Sequence, residues 1–187
     1  MNMRKKTVVV AAMLSLGFSV ALMPACSKSK SSPAKMTLYD SLGSTTMVAD
    51  PAHAGTMIEK GRLGLRSVVD SAIFVIAGDA KINGYFQVLL AEVTAGNTSG
   101  FMALSKNLTD FFCVATGAKN FTYSGKSMTA AHDPATNSRI TMKVNSADFD
   151  QFVADIVKAA QKNGLSNQLI GQVGTVIYSV EGAVVQR

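Results

Sequence analysis

Apolar residues recur at helical spacing in four stretches of the chain. Within each stretch they lie three or four residues apart, which places them on one face of an α-helix. The four stripes are Leu65, Val68, Val69, Ala72, Ile73 and Ile76; Phe101, Leu104, Leu108, Phe111, Phe112 and Ala115; Phe149, Phe152, Val153, Ile156, Val157 and Ala160; and Leu169, Val173, Val176, Ile177, Val180 and Val184. Alternation with a period of two is scarce, so the pattern predicts an all-α domain.

Residues at the ends of these stripes agree with helix boundaries. Ser146 precedes the third predicted helix, Gly164 follows it, and Ser166 is suited to begin the fourth. Serine side chains accept hydrogen bonds from a first helical turn, and glycine tolerates the backbone conformation after a last turn. A shorter helical segment is predicted to end before Pro134, because proline disfavours helix at the preceding residue. Residues 43–60 carry no clear pattern of either kind.

The N-terminal sequence has the layout of a secretory signal peptide. A basic start over residues 1–6 is followed by an uncharged apolar run from Thr7 to Met23. The sequence Met23-Pro24-Ala25-Cys26 then resembles a bacterial lipobox, in which the cysteine becomes the lipid-bearing N-terminus. We therefore predict lipidation at Cys26 and attachment to a membrane through this lipid anchor.

This layout divides the chain into three predicted parts: a lipoprotein signal peptide over 1–25, a polar tether over 26–36 and a folded domain over 37–187. Ser27 after the cysteine resembles the sorting signal for the outer membrane, so the expected location is the cell envelope, on the periplasmic side of that membrane. A plain secretory signal with a chance cysteine is one alternative. An uncleaved membrane helix is another, although the apolar run is short for a hydrocarbon core of about 30 Å.

Charge and composition exclude several functional classes. The formal net charge of the 187-residue chain is +6, but three of its 18 basic residues lie in the signal sequence. The rest of the chain has 15 basic and 12 acidic residues, so its net charge is +3. Such a weak and scattered positive charge argues against a nucleic-acid partner. With two cysteines and two histidines, the chain holds neither a disulfide scaffold nor a cysteine-rich zinc module. Cys113, in an apolar stretch, is expected to be a small buried residue.

Motifs of common catalytic sites are missing from the sequence: Gly-x-Ser-x-Gly, Cys-x-x-Cys and His-Glu-x-x-His. The remaining candidate is His132, which lies four residues after Met128 and so shares a helical face with it. A single neutral imidazole can bind a haem iron when the rest of the pocket is apolar. The alternative is that His132 is an ordinary core or surface residue.

Five segments of the chain form a pattern through their order and spacing. They are Leu38-Tyr39-Asp40-Ser41-Leu42-Gly43, Val68 to Asp79 with Tyr85-Phe86, Leu104 to Gly117, Tyr123-Ser124-Gly125-x-x-Met128-x-x-x-His132, and Arg139-Ile140-Thr141 with the stripe from Phe149. In this order they resemble the group 1 truncated haemoglobins, whose fold is a two-over-two sandwich of helices. The resemblance covers about 140 residues. Two insertions interrupt it, at 43–64 and at 87–100.

The resemblance implies a set of roles around a haem b cofactor. His132 corresponds to the proximal ligand of the iron, and Phe86 to the ring that packs on the haem face. Met128 and Phe112 become candidate pocket walls, whereas Phe111 is expected to belong to the ordinary core.

On the opposite side of the haem, the resemblance places apolar residues where the family often has hydrogen-bond donors. Ile73 occupies a position that is often tyrosine, Leu108 one that is often glutamine, and Leu104 is apolar as well. A hydrogen bond to bound oxygen contributes about 1–3 kcal/mol when water is excluded. Without such a donor, oxygen is expected to dissociate about tenfold to a hundredfold faster.

Other positions leave alternatives open. His53, in the first insertion, is either a sixth iron ligand or a solvated loop residue. Lys126, Arg139 and Lys143 are basic residues that could pair with haem propionates, and surface basic residues are common.

Three functions remain open at this point. The first is a haem-binding module of the envelope that reversibly binds oxygen or another diatomic gas. The second is a haem enzyme, a nitric oxide dioxygenase or a peroxidase, against which the apolar distal side argues. The third is a haem-free lipoprotein that uses a globin scaffold for its surface.

Overall fold

The computed structural model describes residues 36–187. The predicted signal peptide, the lipidation site Cys26 and the tether up to residue 35 lie outside the described residues. In chain order the elements are α1 (Leu38–Ser41), β1 (Met47–Ala49), β2 (Met57–Glu59), α2 (Lys60–Ala77), a 3-10 turn (Asn83–Phe86), α3 (Gln87–Thr94), α4 (Ser99–Ala115), α5 (Met128–Ala131), α6 (Ser146–Lys162), α7 (Asn167–Tyr178) and α8 (Glu181–Val184).

Four long helices form the two-over-two sandwich expected from the sequence. Helix α2 packs against both α4 and α6, and α6 packs against α7. Their apolar stripes meet in one core, where Val69, Phe149 and Ile156 are almost completely buried. Burial of these stripes stabilises the helices far more than their intrinsic propensity does.

The helix boundaries correct two details of the sequence analysis. Helix α6 is capped by Asn145, whose side chain accepts a hydrogen bond from the Asp148 backbone, and Ser146 is its first residue. The last stripe is divided between α7 and α8, because the helix ends at Tyr178 and begins again at Glu181. Ser166 does cap α7, and its side chain accepts from the Leu169 backbone.

The first insertion contains a two-stranded antiparallel hairpin, which the sequence pattern did not predict. Val48 pairs with Ile58 at the centre of the register, and Ile58 is buried. Arg66 on α2 holds the hairpin loop, since its two terminal nitrogens donate to Asp50 at 3.0 and 2.6 Å. This pair holds the pKa of Asp50 well below its usual value. The long elements remain all helical.

The second insertion contains α3, which was also not predicted as a helix. Leu89 is its buried residue, and the turn before α4 passes through Gly96, whose φ is +82°. Within residues 36–187, no helix is long and apolar enough to span a bilayer.

Candidate functional site

Two adjoining cavities lie between the layers of helices, with volumes of about 290 and about 100 Å³. Seven side chains line both of them and so form their common wall: Phe86, Leu108, Phe111, Met128, His132, Ile140 and Phe152. Six of the seven are apolar, and the exception is His132. The larger cavity extends towards α2 and α3, and the smaller one towards α6, α7 and α8.

His132 is the residue in this wall that can act as a base, and its imidazole can bind a metal. Its Nδ1 lies 2.8 Å from the Met128 carbonyl oxygen, so Nδ1 carries the proton and donates it. Nε2 then keeps its lone pair and makes no hydrogen bond within residues 36–187. Burial lowers the pKa of His132 below its usual value, and the bond to Met128 opposes this only in part. The imidazole is therefore neutral near pH 7.

Local structure fixes the position of this imidazole. The one-turn helix α5 is capped by Ser127, whose side chain accepts from the Ala130 backbone, and His132 directly follows its last residue, two positions before Pro134. Its free carbonyl groups are bound by side chains from elsewhere: Thr136 Oγ1 donates to Ala130, Asn137 Nδ2 to Ala131 and Gln186 Nε2 to Thr129. These bonds satisfy the carbonyls that a short helix leaves unpaired.

The structure brings all the candidate pocket residues of the sequence analysis to the two cavities. Ile73 and Leu104 line the larger cavity, Phe112 lines the smaller one, and His132, Phe86, Met128 and Leu108 line both. The seven candidates thus line two adjoining cavities.

Phe111 packs against the hydrophobic core, as the sequence pattern predicts. It is only partly buried and lines both cavities. Its ring packs edge-on against Tyr123, with centroids 6.0 Å apart. The helical stripe placed Phe111 on the inner face of α4, but only the position of α5 decides that this face borders a cavity.

The sequence analysis missed a polar group in the wall of the smaller cavity. Tyr85 is buried there and donates to Asp148, while Arg187 Nη2 donates to the Tyr85 hydroxyl at 3.0 Å. Burial and the neighbouring carboxylate raise the pKa of Tyr85. Burial opposes ionisation of Asp148, but the bonds from Tyr85 and Arg187 outweigh it and lower the pKa of Asp148. The three partners lie far apart in sequence, so no local motif reveals them.

Basic side chains stand at the rim of the larger cavity. Lys126 and Arg139 are among its lining residues, whereas Lys143 lines neither cavity. Lys126 Nζ donates to the Thr136 carbonyl at 2.9 Å. Arg139 Nε lies 3.1 Å from both carboxylate oxygens of Glu92 on α3.

His53 lines neither cavity, which supports the alternative of a solvated loop residue over that of a sixth ligand. It lies in the exposed loop of the hairpin, where its Nδ1 is 3.1 Å from Asp50 Oδ2. Residues 36–187 hold no group of three or more His, Cys, Asp or Glu side chains placed to bind a metal ion. Cys113 is fully buried as expected, and burial raises the pKa of its thiol to about 11.

Comparison with solved structures identifies the fold. A mutant truncated haemoglobin from Tetrahymena pyriformis, in its Fe(III) form, superposes with a TM-score of 0.57 at 18% identity. The 2/2 haemoglobin of Synechococcus sp. PCC 7002, in the cyanomet state with covalently attached haem, superposes with a TM-score of 0.55 at 22% identity. Each match covers 81% of this chain and 100% of the other.

The sequence itself gives no comparable match: no protein-family model fits it, and no curated protein matches it significantly. The likeness therefore rests on the arrangement of the helices rather than on sequence identity. On that arrangement, the chain has the fold of the truncated (2/2) haemoglobins.

Proposed function

We propose that the protein is a haem-binding globin in which His132 binds the iron, and that it reversibly binds oxygen or another diatomic gas. The observation that carries this proposal is a single neutral imidazole in the wall of an apolar cavity. The fold is that of proteins whose solved structures contain Fe(III) or covalently attached haem.

The residues present suit a haem b group. A proton on Nδ1 leaves the Nε2 lone pair of His132 for the iron, and the hydrogen bond to Met128 orients the ring. Phe86, Phe111 and other apolar side chains offer surfaces for a flat macrocycle. Lys126 and Arg139 lie at the rim, where each could bind a propionate in exchange for its present partner, the Thr136 carbonyl or Glu92. When bound, haem supplies an iron centre with an open position for a gas molecule.

The chain's own residues set the environment of that open position. Ile73, Leu104 and Leu108 present hydrocarbon to the larger cavity. None of the three can donate a hydrogen bond, so a partial negative charge on a bound gas is not stabilised by them. We therefore expect weak retention of oxygen and a smaller effect on carbon monoxide, which is less polar when bound.

The test is an absorption spectrum of the full-length chain after addition of haem. We expect a sharp haem band that shifts with carbon monoxide and is lost in His132→Ala. The matched control is His53→Ala, which changes the other histidine of the sequence and leaves the cavity wall intact. A colourless folded protein would overturn the proposal, and a band that survives His132→Ala would remove the ligand assignment.

A second test concerns the apolar side of the cavity. Ile73→Tyr introduces a hydroxyl where Ile73 lines the larger cavity, and it should slow oxygen dissociation about tenfold or more, since one hydrogen bond contributes about 1–3 kcal/mol. Stopped-flow mixing measures the oxygen dissociation rate, and flash photolysis measures the rebinding of carbon monoxide. Equal oxygen dissociation rates in the variant and the parent would show that residue 73 does not reach the gas.

We also propose that the protein is lipid-anchored through Cys26 in the cell envelope, on the periplasmic side of the outer membrane. The lipobox-like sequence Met23-Pro24-Ala25-Cys26 supports this. Cys26→Ser should move the protein from the membrane fraction to the soluble fraction and abolish incorporation of labelled fatty acid. Unchanged labelling in Cys26→Ser would contradict the anchor.

A further inference from the structure

Helix α3 forms part of the wall of the larger cavity. Leu89 and Leu90 line this cavity, and Leu89 is 5% exposed. The main neighbours of α3 are α4 and the 3-10 turn Asn83–Phe86, which directly precedes α3. The helix is therefore a wall of the cavity that is attached at few places.

One ion pair ties α3 to the segment that follows α5. Glu92 on α3 accepts from Arg139, which follows His132 by seven residues and itself lines the cavity. The pair joins positions 47 apart in sequence. Its two side chains are 22% and 46% exposed, so the contact lies at the rim, in reach of water.

Gly100, the second residue of α4, allows this contact. A side chain there would overlap the Glu92 carboxylate, and its Cβ would lie 2.9 Å from Leu89 and 3.0 Å from Arg139 Nε. Three segments thus meet at one point of the rim: α3, the start of α4 and the segment after α5. Just after the C-terminal end of α3, Gly96 has a φ of +82°, and no atom lies within 4 Å of where a side chain there would begin.

From this geometry we propose that α3 (Gln87–Thr94) is a lid over the larger cavity and that the Glu92–Arg139 pair is its latch. Opening separates the carboxylate from the guanidinium and withdraws Leu89 and Leu90 from the cavity wall. Closing excludes water from the apolar space around His132. The lid is a property of the protein without haem; only its effect on haem uptake rests on the proposed function.

A rim-exposed pair makes a small contribution that salt can screen. Such pairs contribute about 0.2–1 kcal/mol, so loss of the latch should raise the population of the open lid by up to about fivefold. At about 1 M salt the Debye length falls to about 3 Å. High salt should therefore open the lid of the parent protein but leave an unlatched variant unchanged.

The experiment is hydrogen exchange of the haem-free full-length chain, read at the backbone amides of α3. Glu92→Gln should exchange about two- to fivefold faster in α3 and at an unchanged rate in α6. Arg139→Gln should do the same, and the double variant should exchange no faster than either single one. The matched control is Lys106→Gln, which removes another exposed ion pair while Asp110 keeps its bond to Arg62.

Two outcomes would overturn the latch. Unchanged exchange of α3 in both variants would show that the pair does not hold the lid, and equal acceleration in every helix would show general destabilisation. Stopped-flow uptake of haemin is the second readout, and it should be accelerated in Glu92→Gln by the same factor. If no variant takes up haemin, the proposed function fails, while exchange of α3 still decides the lid.

Discussion

The two insertions differ in how they attach to the rest of the protein and in what they touch. The hairpin of the first insertion is held by a bidentate pair between Asp50 and Arg66, with the Asp50 side chain 8% exposed. Helix α3 of the second is held by the more exposed pair of Glu92 and Arg139. The hairpin lines neither cavity, whereas α3 forms part of the larger one.

This difference suggests a division of roles. A firmly held element remote from the cavities can stabilise the N-terminal end of α2 without affecting ligands. A loosely held element in a cavity wall belongs to the low-stability part of a protein, from which moving segments are drawn. Matched changes in the two insertions test the contrast.

The largest expected effects come from truncating one buried apolar side chain in each insertion. Leu89→Ala and Ile58→Ala remove side chains that are 5% and 7% exposed, and each should lower the free energy of unfolding by about 2–3 kcal/mol. Only Leu89→Ala should also change the rates of haemin uptake and loss. Thermal unfolding and stopped-flow absorbance measure the two quantities. Accelerated haemin loss in Ile58→Ala would contradict the inference that the hairpin does not affect the cavities.

A smaller effect is expected at a matched pair of glycines. Gly96 and Gly55 have φ values of +82° and +80°, and no atom lies within 4 Å of where a Cβ would stand at either position. Alanine at either position should cost about 1 kcal/mol through backbone strain alone. Gly96→Ala should accelerate hydrogen exchange in α3, and Gly55→Ala only in the hairpin. A change in α3 produced by Gly55→Ala would mean that the insertions are coupled.

The smallest expected effect is a change in acid stability. The pKa of Asp50 is held below its usual value, chiefly by Arg66, so the pair contributes stability above the unfolded-state pKa of about 3.9. That contribution is lost as the pH falls through the lower folded-state pKa. Arg66→Gln should therefore flatten the acid limb of the stability curve, measured by urea unfolding at several pH values. An unchanged acid limb would show that the pair does not secure the hairpin.

Much of the fold was predictable because helical periodicity is local. The stripes over α2, α4 and α6 identify these helices and their buried faces, and both Met128 and His132 line the cavities, as their spacing of four residues suggested. The hairpin was missed because its strands have three residues each, too short for a period of two to be visible. Helix α3, with eight residues, is similarly short.

The sequence by itself determined the four long helices, the candidate proximal ligand His132 and the apolar character of Ile73, Leu104 and Leu108. Each of these depends on residue type and on spacing within one segment. Only the tertiary structure decided that Phe111 borders a cavity, that His53 does not, and that Glu92 meets Arg139. Those relations join residues from separate segments, and the packing of the helices, rather than any local pattern, sets which of them come within reach of one another.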